Sequence, residues 1–193
     1  MQIPLRLPHV ERFSDDELVA FCTANPELRV ERDENGLLYI NMSPTHLLTS
    51  SNNSELNGEF VFWNRRTKAG KVFDSSGGFF LADKSMRAPD VAWIRRDRWD
   101  ALTKEQKKSF PYLAPDFVLE LESDTDNIHE LKDKMQKWIQ NGVRLGWLVS
   151  IREQQTYVYR SGHSVKTVTF PETLTGEDVL EGFETVLAEI LEL

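Results

Sequence analysis

The 193-residue chain is 40% hydrophobic and 28% charged, the make-up of a soluble globular protein with room for a substantial core. Its single cysteine, Cys22, excludes an internal disulfide framework and a cysteine-based zinc site. A net charge of −8 counts against nucleic-acid binding by the chain as a whole.

The first residues, MQIPLRLPHVERF, lack the apolar stretch of a signal peptide. Ser14-Asp15-Asp16-Glu17 is a capping box, with Ser at the N-cap and Glu three residues on. It predicts a short helix to about Ala24, stopped by Asn25-Pro26. Cys22 lies in its apolar run and reads as a core residue rather than a nucleophile. LRVERDENGLLYINM follows as two strands around a hairpin turn at Asp33-Glu34-Asn35-Gly36. Ser43-Pro44-Thr45 breaks the second strand.

A helix is predicted from about Ser51 to Thr67, with Leu56, Phe60 and Trp63 on one face and Gly70 as its stop. KVFDSSGGFFLAD reads as two short strands. Pro89-Asp90 leads into the buried strand VAWI. A polar, helical excursion follows between Asp97 and Pro111. Pro115-Asp116 leads into a second core strand, FVLELE. Residues 125 to 141 carry Ile128, Leu131, Met135, Trp138 and Ile139 as one apolar stripe, the best helix in the chain. Gly142 ends it. LGWLVSI, QQTYVYR and SVKTVTF are three further strands, and GEDVLEGFETVLAEILEL ends in a short strand and a last helix. No apolar run approaches the ~18 residues of a membrane span. One α/β or α+β domain over residues 1–193 is expected, built on a mixed sheet, with no membrane partner and a cytoplasmic location.

Phosphodiester hydrolysis needs an activated water, neutralised phosphoryl oxygens and a stabilised leaving oxygen. Hard Mg²⁺ ions held by carboxylates supply all three. Asp90 stands at the start of one buried strand and Glu120 in the middle of another. Alternation puts Val118, Glu120 and Glu122 on one face of that strand. A carboxylate there needs a partner. A metal is one answer; a solvated second face is the other. Lys134 falls roughly 90° from the centre of the helix stripe, so it flanks the buried face. It either reaches the sheet end to stabilise charge on a phosphate or simply snorkels. Glu55 on the earlier helix either adds a carboxylate or is exposed. The histidines His9, His46, His129 and His163 are scattered, and no nucleophile elbow, phosphate loop or dinucleotide motif is present.

The charge is unevenly placed. Phe60 to Phe110 holds 12 Lys or Arg against 6 Asp or Glu, so that segment is +6 and the rest −14. Such a segment either meets phosphate or is an unevenly charged solvated surface.

At these residues the sequence resembles the bacterial restriction endonuclease family of the PD-(D/E)XK nuclease superfamily. The matching segments are MSPT at Met42 to Thr45, NNSELN, GKVFDSSGGF, MRAPDVAWI, RWDALTKEQKKSFPYLAPDFVLELES and LKDKMQKWIQNGVRLGWLV, over roughly residues 30 to 185. The resemblance implies a restriction-endonuclease-like mixed sheet flanked by helices. It implies Asp90 and Glu120 as metal acids and Glu55 as the early-helix acid. The superfamily lysine sits two residues after the second acid, where this chain has Glu122. An acid there binds a second metal or repels the phosphate. Lys134 is then the natural replacement, with Gln136 a weaker candidate. The expected activity is DNA cleavage with Mg²⁺ or Mn²⁺ and no small-molecule cofactor. The Leu121 carbonyl is a further candidate ligand, and a homodimer is expected because cutting two strands favours two copies of one site. Arg65, Arg66, Arg87, Arg95, Arg96 and Arg98 are the expected phosphate-facing residues. The competing expectation is a non-catalytic protein that keeps the nuclease fold and binds nucleic acid or a protein partner.

Overall fold

Ser14 opens the first helix as its capping box requires. Its hydroxyl accepts the Glu17 amide, and the Glu17 carboxylate accepts the Ser14 amide at 2.8 Å. At the other end the Asn25 side chain donates to the Phe21 carbonyl. The structure is a computed structural model that describes residues 2–5, 12–41 and 46–193, with side chains for 12–40 and 46–193. His9, the break at Ser43-Pro44-Thr45 and the MSPT segment lie outside the described residues.

The chain begins with β1 (Gln2–Leu5), α1 (Asp15–Ala24), β2 (Arg29–Arg32), β3 (Leu38–Asn41) and α2 (Leu47–Thr67). Four short strands follow: β4 (Gly70–Asp74), β5 (Phe79–Phe80), β6 (Met86–Arg87) and β7 (Val91–Arg95). Next come α3 (Arg96–Asp100), β8 (Phe117–Leu121), α4 (Ile128–Gln140), β9 (Leu145–Ser150) and β10 (Gln155–Arg160). The chain closes with β11 (Lys166–Thr169), β12 (Thr173–Thr175), β13 (Glu184–Val186) and α5 (Leu187–Ile190).

The main sheet runs β11-β10-β9-β8-β7-β4. Its pairs are antiparallel except β8 with β9, which are parallel and joined by α4. A parallel pair needs such a crossover. A second sheet runs β1-β3-β2-β6-β5, and β12 pairs with β13. This is the mixed sheet flanked by helices that the resemblance implies.

Strand alternation divides the core. Val91, Trp93, Phe117, Leu119, Leu121 and Trp147 point to one face, which α2 covers with Leu56, Phe60 and Trp63. Ala92, Ile94, Val118 and Leu148 point to the other, which α4 covers with Met135 and Trp138. A third cluster lies under α1, joining Leu18, Val30, Leu38, Phe80 and Met86, and Cys22 packs against it. Burial pushes the Cys22 thiol up, as suits a core residue.

Three sequence expectations need correction. α2 starts at Leu47 rather than Ser51, directly after its N-cap His46. Its end is set by Lys68, which takes the left-handed conformation at φ 56, not by Gly70. Gly70 instead opens β4, where an added Cβ would come within 2.2 Å of the Ile94 carbonyl oxygen. α4 starts at Ile128 rather than residue 125, because Asn127 is its cap and accepts the His129 amide.

Candidate metal and catalytic site

β7 and β8 run antiparallel, and their last pair at this end is Val91 with Leu119. Asp90 precedes β7, so it stands beside the final residues of β8. There its Oδ2 accepts the Leu121 amide at 2.8 Å and takes the place of a further backbone pair. In an extended strand a residue's N–H and C=O point to the same side. The Leu121 carbonyl therefore also points toward Asp90.

Glu120 follows Val118 on the α4 face and is buried. Trp138 Nε1 donates to its Oε1 at 2.9 Å. Lys134 Nζ lies 2.9 Å from the same oxygen. Lys134 and Trp138 are one turn apart on α4, which places both over β8. The far side of Lys134 is met from the second sheet, where Glu31 Oε1 is 3.0 Å from Nζ. Glu31 sits on β2 with a 3% exposed residue surface. Glu120, Lys134 and Glu31 thus form a chain in which one ammonium bridges two buried carboxylates.

The electrostatics follow from burial and crowding. Burial raises the Asp90 carboxyl above its ordinary value, against the pull of the Leu121 amide and Lys134. Burial, together with the Asp90 and Glu31 charges, pushes Glu120 up to about 7 although Lys134 opposes it. Burial alone would lower Lys134, but Glu120 and Glu31 outweigh it and hold the ammonium above the usual lysine value. Three acids therefore share one lysine in a dry place.

This arrangement fits a divalent cation. Each of the two acids has one oxygen tied to a protein donor: Oδ2 of Asp90 and Oε1 of Glu120. The second oxygen of each carries no hydrogen bond among the described residues. Two open carboxylate oxygens and a backbone carbonyl are hard donors, and Mg²⁺ commonly takes one or two carboxylates and fills the rest with water. Among the described residues no group of three or more His, Cys, Asp or Glu side chains is arranged to hold a metal. The candidate donors among the described residues are therefore these two acids and the carbonyl.

The remaining expected residues lie elsewhere. Glu55 is exposed on α2, without a hydrogen bond or ion pair among the described residues, and α2 covers the opposite face of the sheet from α4. The structure does not bring it into the acid cluster. Glu122 is also not a free acid. Ser150 Oγ donates to it, and Arg152 pairs with it while donating to the Asp126 carbonyl at 2.7 Å. Its charge is balanced inside the protein, so neither expectation for it, second metal ligand or phosphate repulsion, follows from its surroundings. Gln136 is exposed.

The six arginines do not form one surface. Arg95 ends β7, five residues from Asp90, or roughly 16 Å along an extended strand. Arg96 donates to the Lys68 carbonyl at 3.3 Å, which places it beside the C-terminus of α2, where Arg65 and Arg66 are exposed. Arg95 pairs with Asp97 at 2.6 Å and Arg98 with Asp116 at 2.9 Å. Those five residues gather at the far end of β7. Arg87 alone lies near the acids, in β6 beside β2, where it pairs with Glu34 at 3.2 Å.

Sequence reading missed Glu31. VER within a polar hairpin looks like a solvated strand, and its partner Lys134 is 103 positions away.

A family model described as Uma2, "Putative restriction endonuclease", matches residues 15–189. The fold is similar to a crystal structure described as "a putative nuclease belonging to DUF820 from Anabaena variabilis", with a TM-score of 0.71. That match covers 85% of this chain and 90% of the other at 17% sequence identity, a likeness of fold. No curated protein matches the sequence.

Proposed function

The chain belongs to the Uma2 restriction endonuclease family, and on that premise we propose that it is a metal-dependent endonuclease that hydrolyses DNA phosphodiester bonds. The observation that carries the reading is the placement of Asp90 and Glu120, each with one oxygen anchored and one open, beside the largely covered Lys134. Asp90, Glu120 and the Leu121 carbonyl would hold Mg²⁺ or Mn²⁺. Such an ion, when bound, activates water and neutralises phosphoryl charge.

The protein's own residues supply the rest. The Leu121 amide and Trp138 fix the orientation of the two acids, so their open oxygens stay aimed without reorganisation. Lys134 has three N–H donors, and Glu120 and Glu31 take two. Among the described residues the third meets no acceptor, so it would serve a phosphate oxygen or the attacking water. Low dielectric around Lys134 strengthens that interaction over its value in water.

Glu55 remains a proposal of a different kind. At the exposed surface of α2 it would meet bound DNA or order a water rather than bind the metal directly. Arg65, Arg66 and Arg96, with Arg95 and Arg98, would meet the duplex about half a helical turn from the cut, since one turn is about 34 Å. Arg87 would act nearer the acids. A homodimer would place two such sites on two strands.

The pairing of Glu122 with Arg152 and Ser150 favours an active site over a degenerate one, because the acid at the usual lysine position is neutralised where it stands. The test is supercoiled plasmid with Mg²⁺ or Mn²⁺, beside Asp90→Ala and Glu120→Ala. Nicking by the native chain alone supports the reading. Equal nicking by all three identifies a contaminant, and no nicking at all favours a non-catalytic protein that keeps the nuclease fold.

A further inference from the structure

Glu31 is the one acid of the cluster that comes from outside the main sheet. It rides on β2 of the second sheet, opposite α4. Alternation separates the two faces of β2. Val30 packs under α1, and Arg32 on the same side pairs with Asp15 of that helix. Glu31 faces the other way, onto Lys134. Beside it, Glu34 of the same hairpin pairs with Lys137, one turn along α4 from Lys134. The hairpin therefore grips α4 by two ion pairs, one of which reaches the site.

We propose that Glu31 is a positioning residue for the proposed reaction, holding the Lys134 ammonium between two carboxylates so that Glu120 keeps an open oxygen. This rests on the nuclease reading above. The argument is geometric. A lysine has a long, flexible stem, and here it comes from a helix rather than from the strand that carries Glu120. With Glu120 as sole partner, the ammonium would be free to swing onto either of its oxygens. Glu31 Oε1 at 3.0 Å on the opposite side confines it to the Oε1 side of Glu120, together with Trp138. The second oxygen of Glu120 stays open, and the third N–H of Lys134 keeps a fixed direction. Glu31 itself need not touch metal or substrate.

The test compares the native chain with Glu31→Gln, Glu31→Asp and Glu31→Ala, using plasmid cleavage, Mn²⁺ titration calorimetry, thermal melting and the ¹⁵N NMR signal of the Lys134 side chain. Supporting partners of this kind typically change activity by about 10- to 100-fold. Glu31→Ala is expected to lower kcat by that factor, with the plasmid KM within about threefold. Glu31→Gln, which keeps an acceptor oxygen, is expected to recover most of the rate. Glu31→Asp keeps the charge but withdraws the oxygen by one methylene, so it is expected to fold while binding Mn²⁺ more weakly and losing rate. The ordered Lys134 ammonium signal should persist in Glu31→Gln and broaden in Glu31→Ala and Glu31→Asp. Native rates and an unchanged Lys134 signal in Glu31→Asp would overturn the proposal, even where Glu31→Ala fails to fold. If the native chain cleaves nothing, the nuclease reading fails, and the Lys134 signal alone still decides whether Glu31 positions the lysine.

Discussion

The Asp90 carboxylate accepts the amide of Leu121 at 2.8 Å and stands in for the backbone where the β7–β8 ladder ends. One oxygen is thereby structural and the other open. Asp90→Asn keeps the acceptor for Leu121 but removes the charge. It should melt close to the native temperature and lose about 10²- to 10³-fold in cleavage, together with Mn²⁺ binding. Calorimetry and plasmid nicking on one preparation check this. Retained Mn²⁺ affinity would exclude Asp90 as a ligand.

Lys134 joins two buried acids, so its loss leaves both without their cation. Lys134→Met keeps the stem and should cost about 3 kcal/mol or more, because a broken buried pair leaves uncompensated charge. For a chain of this size that is a fall in Tm of about 6 °C or more. The double variant Lys134→Met with Glu31→Gln should regain part of the loss. Additive losses would show that the two residues are not coupled.

Glu120 has a carboxyl pushed up to about 7 by burial and by neighbouring acids. A group that binds its proton more tightly when folded stabilises the metal-free fold below its unfolded value of 4.5 and loses that contribution as pH rises to about 7. The metal-free protein should therefore melt lower at pH 8 than at pH 5.5, and Glu120→Gln should flatten that slope. Because a ligand carboxylate must shed its proton, Mn²⁺ affinity should climb over the same interval. An affinity independent of pH between 6 and 8 would contradict Glu120 as a ligand.

Glu122 occupies the position where the superfamily pattern has lysine, yet its buried side chain faces Arg152 and Ser150. Glu122→Lys should not raise activity. It places a buried cation beside the half-exposed Arg152 and should destabilise the fold by about 2 kcal/mol. Increased nicking with an unchanged melting temperature would show that the pattern lysine works here after all.

Arg65 and Arg66 are exposed, and Arg96 is partly so. If they meet phosphate, replacing all three by alanine should weaken DNA binding evenly across sequences and reduce the salt slope by about 1 per residue. An unchanged slope would leave the basic segment as a solvated surface.

Much of the local structure was legible in the sequence, because capping and periodicity act over a few residues. Ser14 and Glu17 announced α1, Asp33 to Gly36 the hairpin, and the Met135–Trp138 stripe the strongest helix. The segment resemblance led to Asp90 and Glu120, and alternation placed Glu120 and Glu122 on one face. The flank position of Lys134 followed from helix geometry alone.

Which partners the two carboxylates at 120 and 122 meet was decided only by the tertiary structure. Alternation gives them the same face, but Lys134 and Trp138 of α4 meet one while Ser150 at the end of β9 and Arg152 just after it meet the other. The same holds for Arg95, Arg96 and Arg98, which are close in sequence to Asp90 yet gather at the far end of β7 because an extended strand separates its two ends. Glu31 shows the limit most plainly. Its local pattern is that of a solvated hairpin, and only the docking of the second sheet on α4 buries it against a lysine 103 positions away. The sequence by itself determined which elements form and which faces they bury, since those rest on short-range geometry. Which charges meet depends on long-range packing, and that the fold alone decided.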